Sequence, residues 1–320
     1  MVETLFVTNR PNYCHKRFAE AVKARFFYVK HPIPDGIPGL SLVLNGLVNS
    51  RSLPDSDVFF SESLMDFYPV YYKNPRGKKI VLIAEDTLFK LEKMQQFKKG
   101  YILRMLERAD GFIAISGLCK KLLMKYTDKP AKIVYPFPHK EFFHVKSNID
   151  SKNILFIGRG DKTKGFPELV KAVKILREKD PEWKLYLIGG CSDSVASEDG
   201  IVPLGLVNRM EPYFARCSLH VHPAIFDPCP ATVFETMNSG MIPIISKNVG
   251  QAEIFREEKL EKLILDSISP ERIAAKILEV HSMDKKVLSR KSKKLSMKFR
   301  EKDRLKMFKK EFKKLLNDSK

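Results

Sequence analysis

Short β-branched or apolar runs alternate with longer stretches of helical periodicity along the whole chain. This is the pattern of repeated βαβ units around parallel sheets. In the first half, Thr4–Thr8, Val58–Ser61, Lys79–Ala84, Gly111–Ser116 and Lys132–Tyr135 predict strands. From Ser116 to Tyr126 a serine cap, Leu118, Leu122 and Leu123 on one face and lysines on the other predict a surface helix. Periodicity breaks over 136–150, where Pro136, Pro138, His139, His144 and Asn148 mark a linker. The second half predicts strands at Asn153–Gly158, Lys184–Ile188, Leu219–His222 and Ile242–Ser246. Helices follow at Pro167–Lys179, with proline in the first turn, and at Ala231–Ser239, stopped by Gly240.

The expected division is therefore an α/β domain over 1–145, a second over 146–280, and a tail over 281–320. With 320 residues the chain exceeds one comfortable core. The tail holds 16 Lys and Arg against 5 Asp and Glu, so much of the net +19 sits there. Phe299, Leu305, Phe308, Phe312, Leu315 and Leu316 fall near helical spacing within it, predicting an amphipathic helix with a basic face. Packing on the core by the apolar stripe and binding to an anionic membrane surface both fit. Nucleic acid is disfavoured, because neither zinc-finger spacing nor aromatic-interleaved basic segments occur.

The remaining bulk features narrow the class. Five cysteines without regular spacing argue against a disulfide framework or structural zinc and fit a reducing, cytoplasmic compartment. No run reaches the ~18 apolar residues of a membrane span, and the N-terminus reads as a first strand rather than a signal peptide.

Candidate chemistry concentrates in the second half. Gly158 ends a strand, and Arg159 and Lys164 follow in a short loop before a helix, so two cations and helix amides can converge on an anion. A solvated basic loop has the same appearance. Asp227 and Glu235 lie eight positions apart across a proline-rich turn and a helix start, where open α/β sheets bind ligands. His220 and His222 alternate on one strand, and the spacing fits a strand end at the site edge better than a metal pair. Phe226 and Phe234 read as core.

At these segments the chain resembles the retaining GT-B glycosyltransferases of family 4, glycosyl transferases group 1, which include sucrose-phosphate synthase and phosphatidylinositol mannosyltransferase. The matching pieces run in the family's order: Ala109 to Ser116, Gly158-Arg159 to Lys164-Gly165, Leu204 to Val207, Tyr213 to Pro223, and Asp227 through Glu235 to Glu253. The resemblance implies two Rossmann-like doubly wound domains facing across a cleft, the first for the acceptor and the second for the donor. It implies transfer of a hexosyl group from a UDP- or GDP-linked sugar with retention, without a metal or other cofactor. The acceptor, whether glycan, lipid or protein, is left open. An epimerase on the same fold and a non-catalytic nucleotide-sugar binder are the alternatives.

By position, the resemblance gives Arg159 and Lys164 the donor diphosphate, Asp227 the donor sugar and Glu235 the ribose. Backbone groups of Gly158, Ala231, Thr232 and Val233 fall beside the sugar or phosphates, and Val207 and Asn208 near the base. Three departures stand out. Asp227 replaces the usual glutamate, Thr8 to Tyr13 replaces a glycine-rich loop, and Glu85 stands beside Asp86 where many members have histidine. Glu85 is expected as an exposed site residue that accepts hydrogen bonds from sugar or acceptor hydroxyls.

Overall fold

The computed structural model describes residues 2–31 and 40–318. The chain divides into two compact units, one of residues 1–135 with 302–320 and the other of residues 136–301. Each is built on one parallel sheet.

The first sheet has the order β2-β1-β3-β4-β5-β6. Its strands are β1 Thr4–Thr8, β2 Arg25–Tyr28, β3 Val58–Ser61, β4 Lys78–Ile83, β5 Gly111–Ala114 and β6 Ala131–Ile133. Every residue of β1, β3 and β5 is buried, which is why their centres read as apolar runs rather than alternating. β2 was not legible: it is a four-residue strand with an exposed arginine at one end and an exposed tyrosine at the other.

The second sheet has the order β12-β11-β10-β7-β8-β9. Its strands are β7 Asn153–Ile157, β8 Lys184–Ile188, β9 Ile201–Gly205, β10 Leu219–His222, β11 Ile242–Ser246 and β12 Ile264–Leu265. β9 escapes sequence reading because Pro203 interrupts it, which an edge strand tolerates.

The tail, expected as a basic amphipathic helical segment over 281–320, is divided between the two units. Helix Lys285–Ser296 belongs to the second unit, and helix Glu301–Asn317, from its second residue on, to the first. The later helix buries Phe308, Phe312 and Leu315, spaced to share one face. The Phe308 ring stacks on Phe18 at 4.6 Å and lies 5.6 Å from Phe60, which Phe312 also meets edge-on at 5.5 Å. Each buried phenylalanine contributes roughly 1.5–3 kcal/mol. The opposite face exposes Lys302, Lys306, Lys309, Lys310 and Lys313.

In the second unit, helix Lys285–Ser296 packs along helix Ala231–Asn238, and the buried serines 292 and 296 allow the close approach. Ser296 Oγ donates to Asn238 Oδ1 at 2.5 Å and Ser289 Oγ to the Gly240 carbonyl at 2.6 Å, while Phe234 stacks on Phe299 at 4.4 Å. The helix that carries Glu235 is therefore held from behind.

Candidate active site

In the second sheet the strand order reverses between β7 and β10. Open α/β sheets bind ligands at such a switch point, beyond the carboxyl ends of the strands. A cavity of about 440 Å³ lies there, walled by the ends of β7, β8 and β10 and by the start of helix Ala231–Asn238. Arg159, Lys164, Asp227 and Glu235 all line it.

The loop after β7 sets the two cations apart. Asp161 caps the 3₁₀ turn Lys162–Lys164 by accepting from the Thr163 amide at 2.9 Å. Gly165 then turns the chain at φ 76°, where a Cβ would lie 2.0 Å from the Pro223 carbonyl oxygen. This turn aims Lys164 inward, leaving it only 8% exposed. Arg159 is exposed on the cavity wall and has no ion pair or hydrogen bond among the described residues. The two loop cations thus differ, one exposed and one buried.

Lys164 Nζ donates to Asp227 Oδ2 at 2.7 Å, and His222 Nε2 lies 3.0 Å from the same oxygen. Burial acts to raise the Asp227 carboxyl, but the hydrogen bond and attraction of His222, with those of Lys164, hold it below the usual range. The Asp227 backbone is also clamped, its amide donating to the Asn248 carbonyl at 3.1 Å and its carbonyl accepting from the Gly250 amide at 3.0 Å. His222 is thus more than the end of a strand. The signal that could have revealed it was its position, five residues before Asp227 on a strand pointing at the same loop.

Glu235 accepts from the His139 amide at 3.4 Å. Burial pushes its carboxyl up to about 7, with a further push from the negative charge of Glu141. Of the residues assigned to the donor, Ala231, Thr232 and Gly158 line the cavity and Val233 does not. Its side chain is fully buried and its amide donates to the Pro230 carbonyl at 3.2 Å, because the first turn closes tightly. Val207 packs against the core cluster of Phe142, Phe214 and Met241, and Asn208 is exposed outside the cavity lining. Leu206, 92% exposed, lines the cavity in their place, as do Gly189 and Gly190 after β8. The Gly189-Gly190 pair after an apolar strand repeats the signal given by Gly158 and was legible in principle.

Glu85 lies in the first unit, just past the end of β4. It lines a separate pocket of about 330 Å³ with Asp86, Met65, Tyr68, Phe97 and Tyr101 among its walls. Its carboxylate accepts from the Leu64 amide at 3.1 Å, and burial pushes it up to about 7 against the bonds from Thr87 and Leu64. The expectation of an exposed residue is therefore corrected to a partly buried, anchored one. The departed first loop is also anchored. Glu62, beyond β3, accepts from Thr8 Oγ1 and from the Asn12 amide at 3.2 Å, and pairs with His15 Nδ1 at 2.7 Å.

Two parallel α/β units, one with a charged cavity at its switch point, define the fold as that of GT-B glycosyltransferases. Sucrose-phosphate synthase from Thermosynechococcus elongatus has this fold at a TM-score of 0.77, with 12% identity over 99% of this chain and 99% of that one. Anabaena HepE in complex with UDP-glucose gives 0.76, with 13% identity over 98% and 100%. Residues 139–302 match the model of the glycosyl transferases group 1 family. The chain belongs to that family. An uncharacterised glycosyltransferase of Bacillus subtilis strain 168 is 24% identical over 169 residues, 48% of this chain and 47% of its own. One of Haemophilus influenzae Rd is 26% identical over 111 residues, 32% and 31%. The chain thus spans about half and about a third of these two relatives.

Proposed function

We propose that this chain transfers a hexosyl group from a nucleotide-diphosphate sugar, UDP- or GDP-linked, to an acceptor hydroxyl with retention of configuration and without a metal. The observation that carries this reading is the convergence of Arg159, Lys164, Asp227 and Glu235 on one cavity at the switch point. Exposed Arg159 and the amides of Ala231 and Thr232 can meet a diphosphate, and the ionised Glu235 can accept from ribose hydroxyls. Negative charge that develops on the departing nucleotide is stabilised by Arg159 and Lys164, the role a metal fills elsewhere. Asp227 accepts from hydroxyls of the sugar. The solved complexes of HepE with UDP and with UDP-glucose support this class of donor.

The first unit takes the acceptor, with its hydroxyl directed to Glu85 in the 330 Å³ pocket. The lysine face of helix Glu301–Asn317 brings the enzyme to the cytoplasmic side of an anionic membrane. Among the described residues no helix is long and apolar enough to cross one.

Calorimetry with UDP-glucose and GDP-mannose tests the donor site. Binding of one, with heat lost in Arg159→Ala, is expected, and binding of neither rejects the reading. NMR of the glycosylated product reports the anomeric configuration. Turnover that persists in a chelator is expected.

A further inference from the structure

We propose that His222 is a positioning residue that holds Asp227 toward the donor sugar, and that it does so most when Lys164 is drawn away to the diphosphate. The proposal rests on the donor-site reading given under Proposed function.

His222 is 2% exposed at the end of β10, and its ring lies nearly parallel to that of Phe156 on β7, 5.8 Å between centroids. Its Nδ1 has no hydrogen-bond partner among the described residues. Among the described residues the ring's one polar contact is Nε2 with Asp227 Oδ2, and because an ionised carboxylate only accepts, Nε2 carries the proton and donates. The neighbouring His220 is engaged elsewhere, through Nδ1 to Thr236 Oγ1 at 2.8 Å, and burial keeps it neutral. It cannot take over this task.

Two donors therefore meet on Oδ2, and the backbone clamp at Asn248 and Gly250 fixes the base of the side chain. Oδ1 is the oxygen left for a sugar hydroxyl. A buried ammonium facing both a carboxylate and an arriving diphosphate divides its hydrogen bonds between them. As Lys164 turns to the phosphates, Asp227 keeps a single side-chain donor, and that donor is His222. A short aspartate without it would gain freedom at the moment the sugar must be held.

The experiment compares affinity for the sugar nucleotide with affinity for the free nucleotide, by calorimetry with UDP, UDP-glucose, GDP and GDP-mannose. It needs no acceptor. His222→Leu removes the donor and keeps an apolar side chain against Phe156. Its expected effect is a loss on the order of tenfold in sugar-nucleotide affinity, as for one hydrogen bond to a charged group, with free-nucleotide affinity within about twofold. His222→Gln places an amide N–H near the Nε2 position and recovers most of the loss. If His222→Leu does not fold, His222→Asn, whose amide falls short of Asp227, is read in the same way.

Equal loss for both kinds of ligand, or no loss, overturns the proposal, as does a Gln variant no better than Leu. Failure of the wild type to bind any of the four ligands overturns the donor-site reading itself, and so is distinct from failure of the His222 role.

Discussion

Lys164 and Asp227 form a buried ion pair, 2.7 Å between Nζ and Oδ2, with each side chain about one-tenth exposed. Removing one member of such a pair leaves an uncompensated buried charge and costs about 3–5 kcal/mol. Lys164→Ala is thus expected to lose roughly 3 kcal/mol in denaturant unfolding, at the low end because His222 still holds Asp227. The double variant with Asp227→Ala should recover part of it. Arg159→Ala, at an exposed position, should stay within about 0.5 kcal/mol of the wild type while weakening nucleotide binding. Equal destabilisation by the two single variants would contradict the division of labour between these cations.

If the cavity takes the proposed nucleotide sugar, Glu235 gives binding there a pH dependence. With its carboxyl pushed up to about 7, it gains acceptor capacity as pH rises through that value. UDP-glucose affinity should therefore increase between about pH 6 and about pH 8, since the donor's diphosphate has no ionisation in this range. His139 and Glu141 face Glu235, and Asp227 and Lys164 share its cavity. Glu235→Gln should flatten the profile and weaken binding at the upper end. A flat wild-type profile in calorimetry would remove Glu235 from the ribose.

Much of the architecture was legible because the strands of a parallel sheet are buried on both faces and read as apolar runs, as at residues 58–60 and 154–156. Edges were not: β2 and β9 carry exposed or proline-bearing positions that look like loop. In the site, spacing identified residue types but not partners. That Lys164 is buried follows from Gly165 turning beside Pro223, a contact 58 positions away in sequence. Likewise, Val207 and Val233 were assigned by motif position; Val233 is fully buried, and Val207, partly buried, packs against the apolar cluster of Phe142, Phe214 and Met241.

The C-terminal helix should show its two faces separately. Phe308→Ala removes a ring packed against Phe18, Phe60 and Phe312 and should cost about 3–5 kcal/mol. Replacing Lys302, Lys306 and Lys309 by glutamate leaves that packing intact. It should instead reduce cosedimentation with phosphatidylserine-containing vesicles at low salt, each lysine near the surface contributing about 1 kcal/mol. Equal sedimentation of the wild type with neutral and anionic vesicles would exclude membrane attachment by this face.

Glu85 links stability to pH in the first unit. Its folded value of about 7 stands above the ordinary 4.5, so the folded chain binds this proton more tightly than the unfolded one. Its contribution makes stability fall as pH rises from about 4.5 to about 7, with no further change above. Glu85→Gln, which cannot ionise, should flatten that part of the profile and raise the melting temperature at about pH 8. Asp66, also raised to about 7 and partly by the charge of Glu85, should titrate nearer its ordinary range in the same variant. With acceptor present, turnover should fall at least about tenfold, or 1.4 kcal/mol. A variant that is more stable at high pH yet turns over like the wild type would make Glu85 structural only.

The conformation of Gly165 supports the proposed anion site. At φ 76° an alanine is strained by roughly 1–2 kcal/mol, and its Cβ would lie 2.0 Å from the Pro223 carbonyl oxygen, so backbone on one side must move. Pro223 begins the segment that leads to Asp227, and the Ile225 amide donates to the Thr163 carbonyl at 2.7 Å across the same gap. A shift here separates Lys164 from Asp227 as well as straining the turn. Gly165→Ala should therefore lower both the melting temperature and nucleotide affinity. Gly205→Ala is the control: its φ of 67° carries similar strain, but its Cβ meets nothing within 4 Å, so it should lose stability only. If the two variants bind UDP equally well, the close approach of Gly165 to Pro223 does not set the position of Lys164.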